Sequence, residues 1–282
     1  SAFVVANRPG TTGFAYFLRW KISESRWVDD SARLLGNGSN GNRDTCVNSK
    51  YAITGDFNGD GKPDVYLSCG VDTQTVYQPI FLSQIDGSYM RRSSGIRING
   101  RSASASLING DNNLDLIVAN LDTGVPEVWV GNGQGLFSLN ATGATGRLIA
   151  SGDCGSGNVS IPASIQTTTI VNVGARKDLI LANANYVAYL IDLGTSTSSR
   201  YSICQSAMFA LATSAEVTDI FATTTVGGAV SFYLNQKNTA TNPQSFMISK
   251  YSLNQTIFNG ATHYSLTPGT RSVGVMANSS EG

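Results

Sequence analysis

The sequence predicts an all-β fold, and three observations support that prediction. Hydrophobic residues make up 41% of the 282 residues but charged residues only 13%, and glycine is abundant, as in chains with many strands and tight turns. Short apolar segments of strand length recur along the chain, and the same group of segments returns five times. Each group also places an aromatic residue before an aliphatic one at the same point. Five copies of about 56 residues each predict a single β-propeller with five four-stranded blades.

The repeated group is clearest in its apolar strand, whose copies are 3–7, 64–68, 115–120, 178–183 and 219–222. The strand that follows carries an aromatic–aliphatic pair: Phe17-Leu18, Phe81-Leu82, Trp129-Val130, Tyr189-Leu190 and Tyr233-Leu234. The next strand supplies one more aromatic residue: Trp27, Tyr89, Phe137, Tyr201 and Phe246. We expect these aromatic residues to pack between blades. Stacking on a sugar is the alternative for Trp20, Trp27 and Trp129.

The two ends of the chain predict how the propeller closes. A further strand precedes four of the apolar strands, at 51–54, 105–108, 169–172 and 209–212, and its fifth copy stands at the far end, at 273–276. Residues 270–282 would therefore complete the N-terminal blade 1–45, and the other blades would span 46–100, 101–160, 161–206 and 207–269. A single domain of residues 1–282, closed into a ring by this C-terminal strand, would leave only short, protected sheet edges.

The segment 56–64 predicts a calcium-binding loop. Oxygen-bearing side chains occupy its first, third, fifth and ninth positions, and the carbonyl group of its seventh residue would add a ligand: Asp56, Asn58, Asp60, Asp64 and Lys62. Calcium takes six to eight oxygen ligands, which a tight loop can bring together. An EF-hand opens in the same way, but it needs a glutamate at the twelfth position, where Leu67 stands, and flanking helices. The segment therefore predicts a Ca²⁺ loop between two strands.

The same loop recurs before the later apolar strands with fewer ligands. The second copy keeps the third, fifth and ninth positions: Asn109, Asp111 and Asp115. Leu107 replaces the first ligand, so this second metal site would be weak. The loops before Asp178 and Asp219 keep no ligand set. The alternative for these later aspartates is a structural role, in which the carboxylate caps the turn that enters the strand.

The loop spacing, together with the strand 115–120 and the turn 131–137, resembles the FG-GAP/VCBS repeat of integrin-α-like calcium-binding β-propellers. The resemblance covers residues 49–139 and is faint elsewhere. It implies an extracellular propeller that binds glycans or proteins, as integrin heads, fungal propeller lectins and bacterial surface proteins do. Propellers of that family usually have seven blades, so six or seven blades are the alternatives to five.

Four cysteines predict two disulfides. No two of them form a CxxC pair, so a zinc site is not indicated. Cys46 precedes one strand of the second blade and Cys69 ends the next, and consecutive antiparallel strands place those two ends side by side, so we expect a Cys46–Cys69 bond. Cys154 and Cys204 then pair by elimination. Disulfides indicate an extracellular or cell-surface location, and four free thiols are the alternative.

The remaining sequence favours binding over catalysis. The single histidine, His263, has no motif around it, and no GxSxG, HExxH or P-loop pattern is present, so we expect no enzyme and assign no catalytic residue. Lys+Arg and Asp+Glu balance at 19 each, which favours no nucleic-acid partner. No apolar run reaches the roughly 18–20 residues that membrane insertion needs.

The sequence therefore predicts a secreted or surface-displayed, calcium-stabilised binding module of the lectin or adhesin kind. Its partner would be a glycan or an extracellular protein, and it could belong to a larger chain or assembly. One alternative is a structural module of an extracellular filament, adhesin or virion. Another is a polysaccharide lyase or glycoside hydrolase, which would need two carboxylates from separate blades to converge.

Overall fold

A computed structural model gives the fold of the chain, and its regular structure is almost entirely β. It describes residues 2–6, 12–35, 44–47, 49–70, 76–139, 164–173, 176–191, 194–195, 201–202, 205–211, 214–224, 230–238, 245–258 and 261–275. Within these ranges lie 23 strands and two 3-10 helices. The chain divides into two compact units, Ser1–Thr123 with Glu127–Gly146, and Gly124–Pro126 with Arg147–Gly282.

The first unit contains three sheets. Its elements are β1 (Ala2–Ala6), β2 (Thr12–Lys21), η1 (Ile22–Glu24), β3 (Arg26–Asp29), η2 (Ser31–Arg33), β4 (Leu34–Leu35), β5 (Asp44–Val47), β6 (Ser49–Gly55), β7 (Asp64–Cys69), β8 (Val76–Ser83), β9 (Tyr89–Ile98), β10 (Gly100–Ser106), β11 (Asp115–Asn120), β12 (Val125–Gly131) and β13 (Phe137–Leu139). The sheet orders are β1-β2-β3 with β5 also on β2, β4-β9-β8-β7-β6, and β10-β11-β12-β13. β12 belongs to this unit from Glu127 onward.

The second unit contains two four-stranded sheets and a short two-stranded one. Its strands are β14 (Thr167–Val173), β15 (Arg176–Ala182), β16 (Tyr186–Ile191), β17 (Gly194–Thr195), β18 (Tyr201–Ser202), β19 (Gln205–Ala210), β20 (Val217–Thr224), β21 (Val230–Asn238), β22 (Ser245–Phe258) and β23 (Ala261–Val275). The sheet orders are β14-β15-β16-β19, β17-β18 and β20-β21-β22-β23.

Three apolar strands of the repeat, β7, β11 and β15, are inner strands of their sheets, whereas β1 and β20 stand at an end of the strand order. Every residue of β7 and of β11 is buried. A strand covered on both faces needs apolar side chains at successive positions and not at alternate ones, which is why these segments read as continuous apolar runs. β9 has one open face instead, because buried and exposed residues alternate along its end. Ile96 and Ile98 are buried, whereas Gly95 and Arg97 are exposed.

The predicted all-β, propeller-type fold is confirmed, but the blade count differs from the prediction. Antiparallel four-stranded sheets are the blades of a β-propeller, and the described residues contain four of them in place of five. The remaining large sheet has a fifth strand, since β4 adds to β9 in parallel, with Leu34 opposite Tyr89.

The strand predicted to close the ring lies elsewhere. Residues 273–275 belong to β23, where Val273 is opposite Met247 of β22 in the last sheet of the second unit. The described partner of β1 is β2. A hairpin between consecutive strands closes a short loop, whereas pairing with β1 would close most of the chain, and loop-closure entropy favours the hairpin. Met276, the last residue of the predicted strand, lies outside the described residues.

The core lies between neighbouring sheets of each unit, as the repeated aromatic residues predicted. Four aromatic residues of the aromatic–aliphatic pairs are buried: Phe17, Phe81, Trp129 and Tyr189. Phe137, an aromatic residue of the strand that follows such a pair, is buried too. In the first unit, Phe57 and Tyr66 pack edge-on against Phe137 with ring centroids 5.8 and 6.4 Å apart. The packing prediction is wrong for Trp27, which is 49% exposed. The side chains of Tyr201 and Phe246 lie outside the described part.

Helices within the described ranges are too short and too polar to cross a membrane.

Candidate metal centre

The loop 56–64 joins two antiparallel strands at the edge of the second sheet. β6 ends at Gly55 and β7 begins at Asp64, and these two residues are opposite each other in the register. The eight residues between them must therefore reverse the chain. Gly59 and Gly61 have φ angles of 75° and 79°, in the left-handed region that glycine tolerates best.

The first three predicted ligands fold back over their own loop. The Asp56 carboxylate accepts hydrogen bonds from the backbone N–H of Asp60 at 3.0 Å and of Gly61 at 2.8 Å. Asn58 Oδ1 accepts from the same Asp60 N–H at 3.1 Å, and Asp60 Oδ1 accepts from Lys62 N–H at 2.9 Å. Since each oxygen has a second lone pair, these side chains remain able to bind a cation.

Asp64 has a different role, because backbone amides engage both of its oxygens. Phe57 N–H donates to Oδ2 at 2.9 Å, and Ser83 N–H, at the end of β8, donates to Oδ1 at 2.7 Å. The carboxylate is buried. Burial raises the pKa of Asp64 above its ordinary value, although the hydrogen bonds from Ser83 and Phe57 oppose that shift. Asp64 therefore ties the loop to the neighbouring strand.

The loop carries three carboxylates and one lysine, and none of the described ion pairs neutralises its carboxylates. The ion pairs within the described ranges join Arg19, Lys21, Arg26 and Arg33 to Glu24 and Asp30, and none of them includes a loop carboxylate. Lys62 Nζ donates to the Gln84 carbonyl at 3.4 Å. Carboxylate and amide oxygens are the donors that calcium prefers, so the chemistry of this loop fits Ca²⁺. No three acidic, histidine or cysteine side chains of the described part surround one metal position.

The second loop, 107–115, repeats four hydrogen bonds of the first loop at equivalent positions and lacks the two that Asp56 accepts. Asn109 Oδ1 accepts from Asp111 N–H at 3.0 Å, and Asp111 Oδ1 accepts from Asn113 N–H at 2.7 Å. Asp115 accepts from Ile108 N–H at 3.0 Å, from Asn109 N–H at 3.1 Å and from Gly131 N–H at 3.0 Å. Burial raises the pKa of Asp115, as it does for Asp64. The two loops thus share one backbone design.

The second loop differs where a metal would be held. Leu107 stands at the first position and is 39% exposed. Amide groups of Asn109 and Asn113 donate to Asp111 Oδ2 at 2.9 and 3.3 Å. Burial alone would raise the pKa of Asp111, but the hydrogen bonds from Asn113 and Asn109 outweigh it and lower the pKa. With one ligand missing and its carboxylate already bonded to amides, this loop fits a cation less well than loop 56–64.

Of the two later aspartates, Asp178 has a described side chain, but the turn before it lies outside the described residues, so its role as a turn cap stays a prediction. Asp178 is buried, and Tyr189 Oη donates a hydrogen bond to its Oδ2 at 2.5 Å. The side chain of Asp219 lies outside the described part, as does that of His263, whose backbone pairs with Thr256 in the last hairpin.

Of the four cysteines in the predicted disulfides, one has a side chain within the described part of the chain. Cys69 is buried at the end of β7 and is disulfide-bonded. In the register it lies opposite Ser49, the residue that begins the strand after Cys46. The side chain of Cys46, and Cys154 and Cys204 altogether, lie outside the described residues, so both pairings stay predictions.

The sequence predicted that Trp27 packs between blades, with sugar stacking as the alternative for Trp20 and Trp27, and the structure exposes both side chains. They are opposite each other in β2 and β3, with 44% and 49% of their surface exposed. Their ring centroids are 5.5 Å apart in an edge-to-face arrangement. A signal was present in the sequence, because polar and charged residues separate and flank both tryptophans in the segment 19–30.

Comparison with known proteins leaves the family open: no protein-family model matches the chain, and no curated protein matches it. The likeness of residues 49–139 to FG-GAP/VCBS repeats is therefore a resemblance, and the function has to be argued from the loops and the exposed surface.

Proposed function

We propose that the chain is a calcium-stabilised, secreted or surface-displayed β-propeller module that binds a glycan or an extracellular protein. The observation that carries this proposal is the loop 56–64, in which Asp56, Asn58 and Asp60 fold over one backbone turn and no described ion pair includes a loop carboxylate. Asp64 attaches that loop to the sheet.

Calcium in this loop would act on stability and not on chemistry. Three carboxylates within nine residues repel one another, and a divalent cation removes that repulsion. A ligand that binds only the native state stabilises it by RT ln(1 + [L]/Kd), which is about 2.7 kcal/mol at about a hundredfold excess over Kd. The cation would thereby fix the junction of β6 and β7.

A binding role is supported by the contacts of four described acidic side chains. Glu24 and Asp30 are each shared between two basic side chains, and Asp64 and Asp115 are held by backbone amides. Such groups serve the rigidity of the sheets. Loops held on rigid sheets are typical of recognition surfaces.

We further propose that the five-stranded sheet serves as the fifth blade. Its strands β6, β7, β8 and β9 follow one another in space as in chain order, like β10 to β13 of the next sheet. The two-residue β4 would then be an addition to a four-stranded blade.

Thermal melts of the whole chain with excess calcium, with magnesium and with EDTA test the proposal. Calcium is expected to raise the Tm and magnesium to raise it less, because loop ligands that calcium accepts are too irregular for magnesium. Asp60→Ala should remove the calcium response. Asp86→Ala removes an exposed turn carboxylate outside the loop and should keep it. Equal melting temperatures in calcium and EDTA would rule out the calcium part.

A glycan array probed with the labelled chain, in calcium and in EDTA, tests the binding part. Calcium-dependent capture of a defined glycan is the expected result. If no glycan on the array captures the chain, an extracellular protein is the partner that this proposal retains.

A further inference from the structure

We propose that Trp20 and Trp27, together with Asp29, form the site that binds a neutral oligosaccharide. This inference rests on the proposed binding function and assigns it to one surface. The structure exposes about half of each indole, although tryptophan is among the side chains that gain most from burial. Two such rings held side by side need an explanation other than packing.

The two tryptophans lie where β2 pairs with β3. β1 begins at Ala2, opposite Leu18 of β2, and within the described part the residues from Arg19 to Lys21 pair with β3. Trp20 is opposite Trp27 in this two-stranded section. About half of each indole is exposed there.

Ion pairs are present at both ends of that two-stranded section. At the tip, Glu24 is shared by Lys21 and Arg26, and Ser25 adopts a left-handed conformation with a φ of 48°. At the base, Asp30 is 3.0 Å from Arg19 Nε and 2.8 Å from Arg33 Nε. A surface held rigid before binding loses less entropy when a ligand arrives. The tryptophan pair is thus preorganised.

Strand alternation places a hydrogen-bonding group on the same face as the rings. Trp20 and Leu18 share one face of β2, Trp27 and Asp29 share one face of β3, and Leu18 is opposite Asp29. Asp29 is exposed, and one of its oxygens accepts from Ser31 N–H at 2.8 Å. A carboxylate has about four acceptor positions, so an exposed carboxylate can accept from ligand hydroxyl groups while it keeps its partners within the protein.

This combination of groups selects the chemistry of the ligand. A sugar ring has an apolar C–H face that stacks on indole and hydroxyl groups that donate to a carboxylate. An acidic sugar would be repelled by Asp29. A protein partner would need about 800 Å² on this side, whereas two half-exposed tryptophans offer roughly 200 Å². The patch fits one or two residues of a neutral oligosaccharide.

The indole signals of the protein provide a direct test. The chain has three tryptophans, and the third, Trp129, is buried and serves as an internal reference. In ¹⁵N-labelled whole chain, chitohexaose, cellohexaose, xylohexaose and mannohexaose are titrated separately, with hexagalacturonate as the acidic probe. For at least one neutral sugar, the Nε1–H signals of Trp20 and Trp27 should shift and that of Trp129 should stay.

Variants separate stacking from folding. Trp20→Ala and Trp27→Ala should each weaken binding about tenfold or more, the scale of an interface hot spot. Trp20→Phe keeps a ring and should recover part of the affinity. Asp29→Asn keeps the acceptor for Ser31 and should weaken binding less than the loss of a ring. Phe221→Ala removes another exposed aromatic ring, which is 62% exposed, and should bind like the wild type.

The outcomes distinguish this site from the proposed function as a whole. If a glycan array captures the wild type and Trp20→Ala equally, the module binds glycans but this site is wrong. If only hexagalacturonate shifts the two indole signals, the assignment of a neutral sugar is wrong. If none of these sugars shifts them and the array captures a neutral glycan elsewhere, the site is overturned while the binding function stands.

Discussion

At the residue scale, Asp64 shows how a carboxylate can hold a loop without a cation. Its two oxygens accept from the amides of Phe57 and Ser83, and Asp115 repeats this with Ile108 and Gly131. An aspartate at the ninth position is therefore required by the turn itself. The predicted side-chain ligands of the two loops therefore differ at the first position, where loop 56–64 has Asp56 and loop 107–115 has Leu107.

Replacing Asp64 should cost stability even when calcium is absent. Asp64→Ala leaves two amides without their acceptor, and a buried unsatisfied donor costs about 1–3 kcal/mol. We expect the free energy of unfolding in EDTA to fall by about 3 kcal/mol, measured by urea denaturation. The control is Asp60→Ala, which removes an exposed loop carboxylate. Equal stability of the two variants in EDTA would contradict the structural role of Asp64.

Asp86 provides a pH-dependent contact that can be measured apart from any metal. The Ser88 hydroxyl and the Ser88 N–H donate to Asp86 Oδ1 at 2.6 and 2.9 Å, and these bonds lower the pKa of Asp86. A lowered native pKa stabilises the fold above the unfolded-state pKa, and this contribution is lost as pH falls through the native pKa. In an NMR titration, Ser88→Ala should raise the pKa of Asp86. An unchanged pKa would show that the serine is not its cause.

At the element scale, the two-residue strand β4 joins two sheets of the first unit. Leu34 is 1% exposed and packs in a cluster with Phe17 of β2 and with Val65 and Phe81 of the second sheet. The Arg33 side chain reaches the carbonyl group of Gly87 at 3.3 Å. A strand this short cannot be predicted from the sequence, because two apolar residues after a 3-10 helix are too few to show the two-residue alternation of a strand.

Truncation of Leu34 should reveal the importance of that contact. Leu34→Ala removes a fully buried side chain, and such changes cost about 2–5 kcal/mol. Leu136→Ala is the matched control, because Leu136 is 47% exposed and should lose less than about 1 kcal/mol. Denaturant melts of both variants measure the difference. A Leu34→Ala protein as stable as the control would mean that β4 does not hold the sheets together.

The elements that the sequence predicts best are those buried on both faces. β7, β11 and the second half of β15 are short runs of mainly apolar residues, and their length fits a buried strand better than a helix. The exposure of Trp27 was missed because an aromatic residue in a strand fits a packed face and a binding face equally well. The position of a residue in the repeat predicts the strand to which it belongs, but not which side chains pack against it.

At the scale of the whole molecule, pairings distant in sequence were the least predictable feature. The strand at 273–276 matched the repeat, yet residues 273–275 pair with β22 because a consecutive hairpin was available. The loop 56–64 was predictable as a unit, since its ligands and glycines lie within nine residues. Its equivalence to loop 107–115 in hydrogen bonding became visible only with the backbone in place.

The covalent framework can be tested on the intact chain. Cys69 is disulfide-bonded, and peptide mapping without reduction should recover it linked to Cys46, with Cys154 linked to Cys204. Reduction should lower the stability, because a disulfide restricts the unfolded chain. Recovery of Cys69 linked to Cys154 or Cys204 would contradict the strand order from which the pairing was predicted.

The shared design of the two loops separates the shape of a repeat from its affinity for a cation. Loop 107–115 keeps the turn although a leucine stands where loop 56–64 has Asp56. A substitution that removes a ligand therefore leaves a chain that still folds, and one that restores a ligand requires no new backbone. Each copy can therefore gain or lose a ligand of the proposed cation site by a single substitution, independently of the other copy.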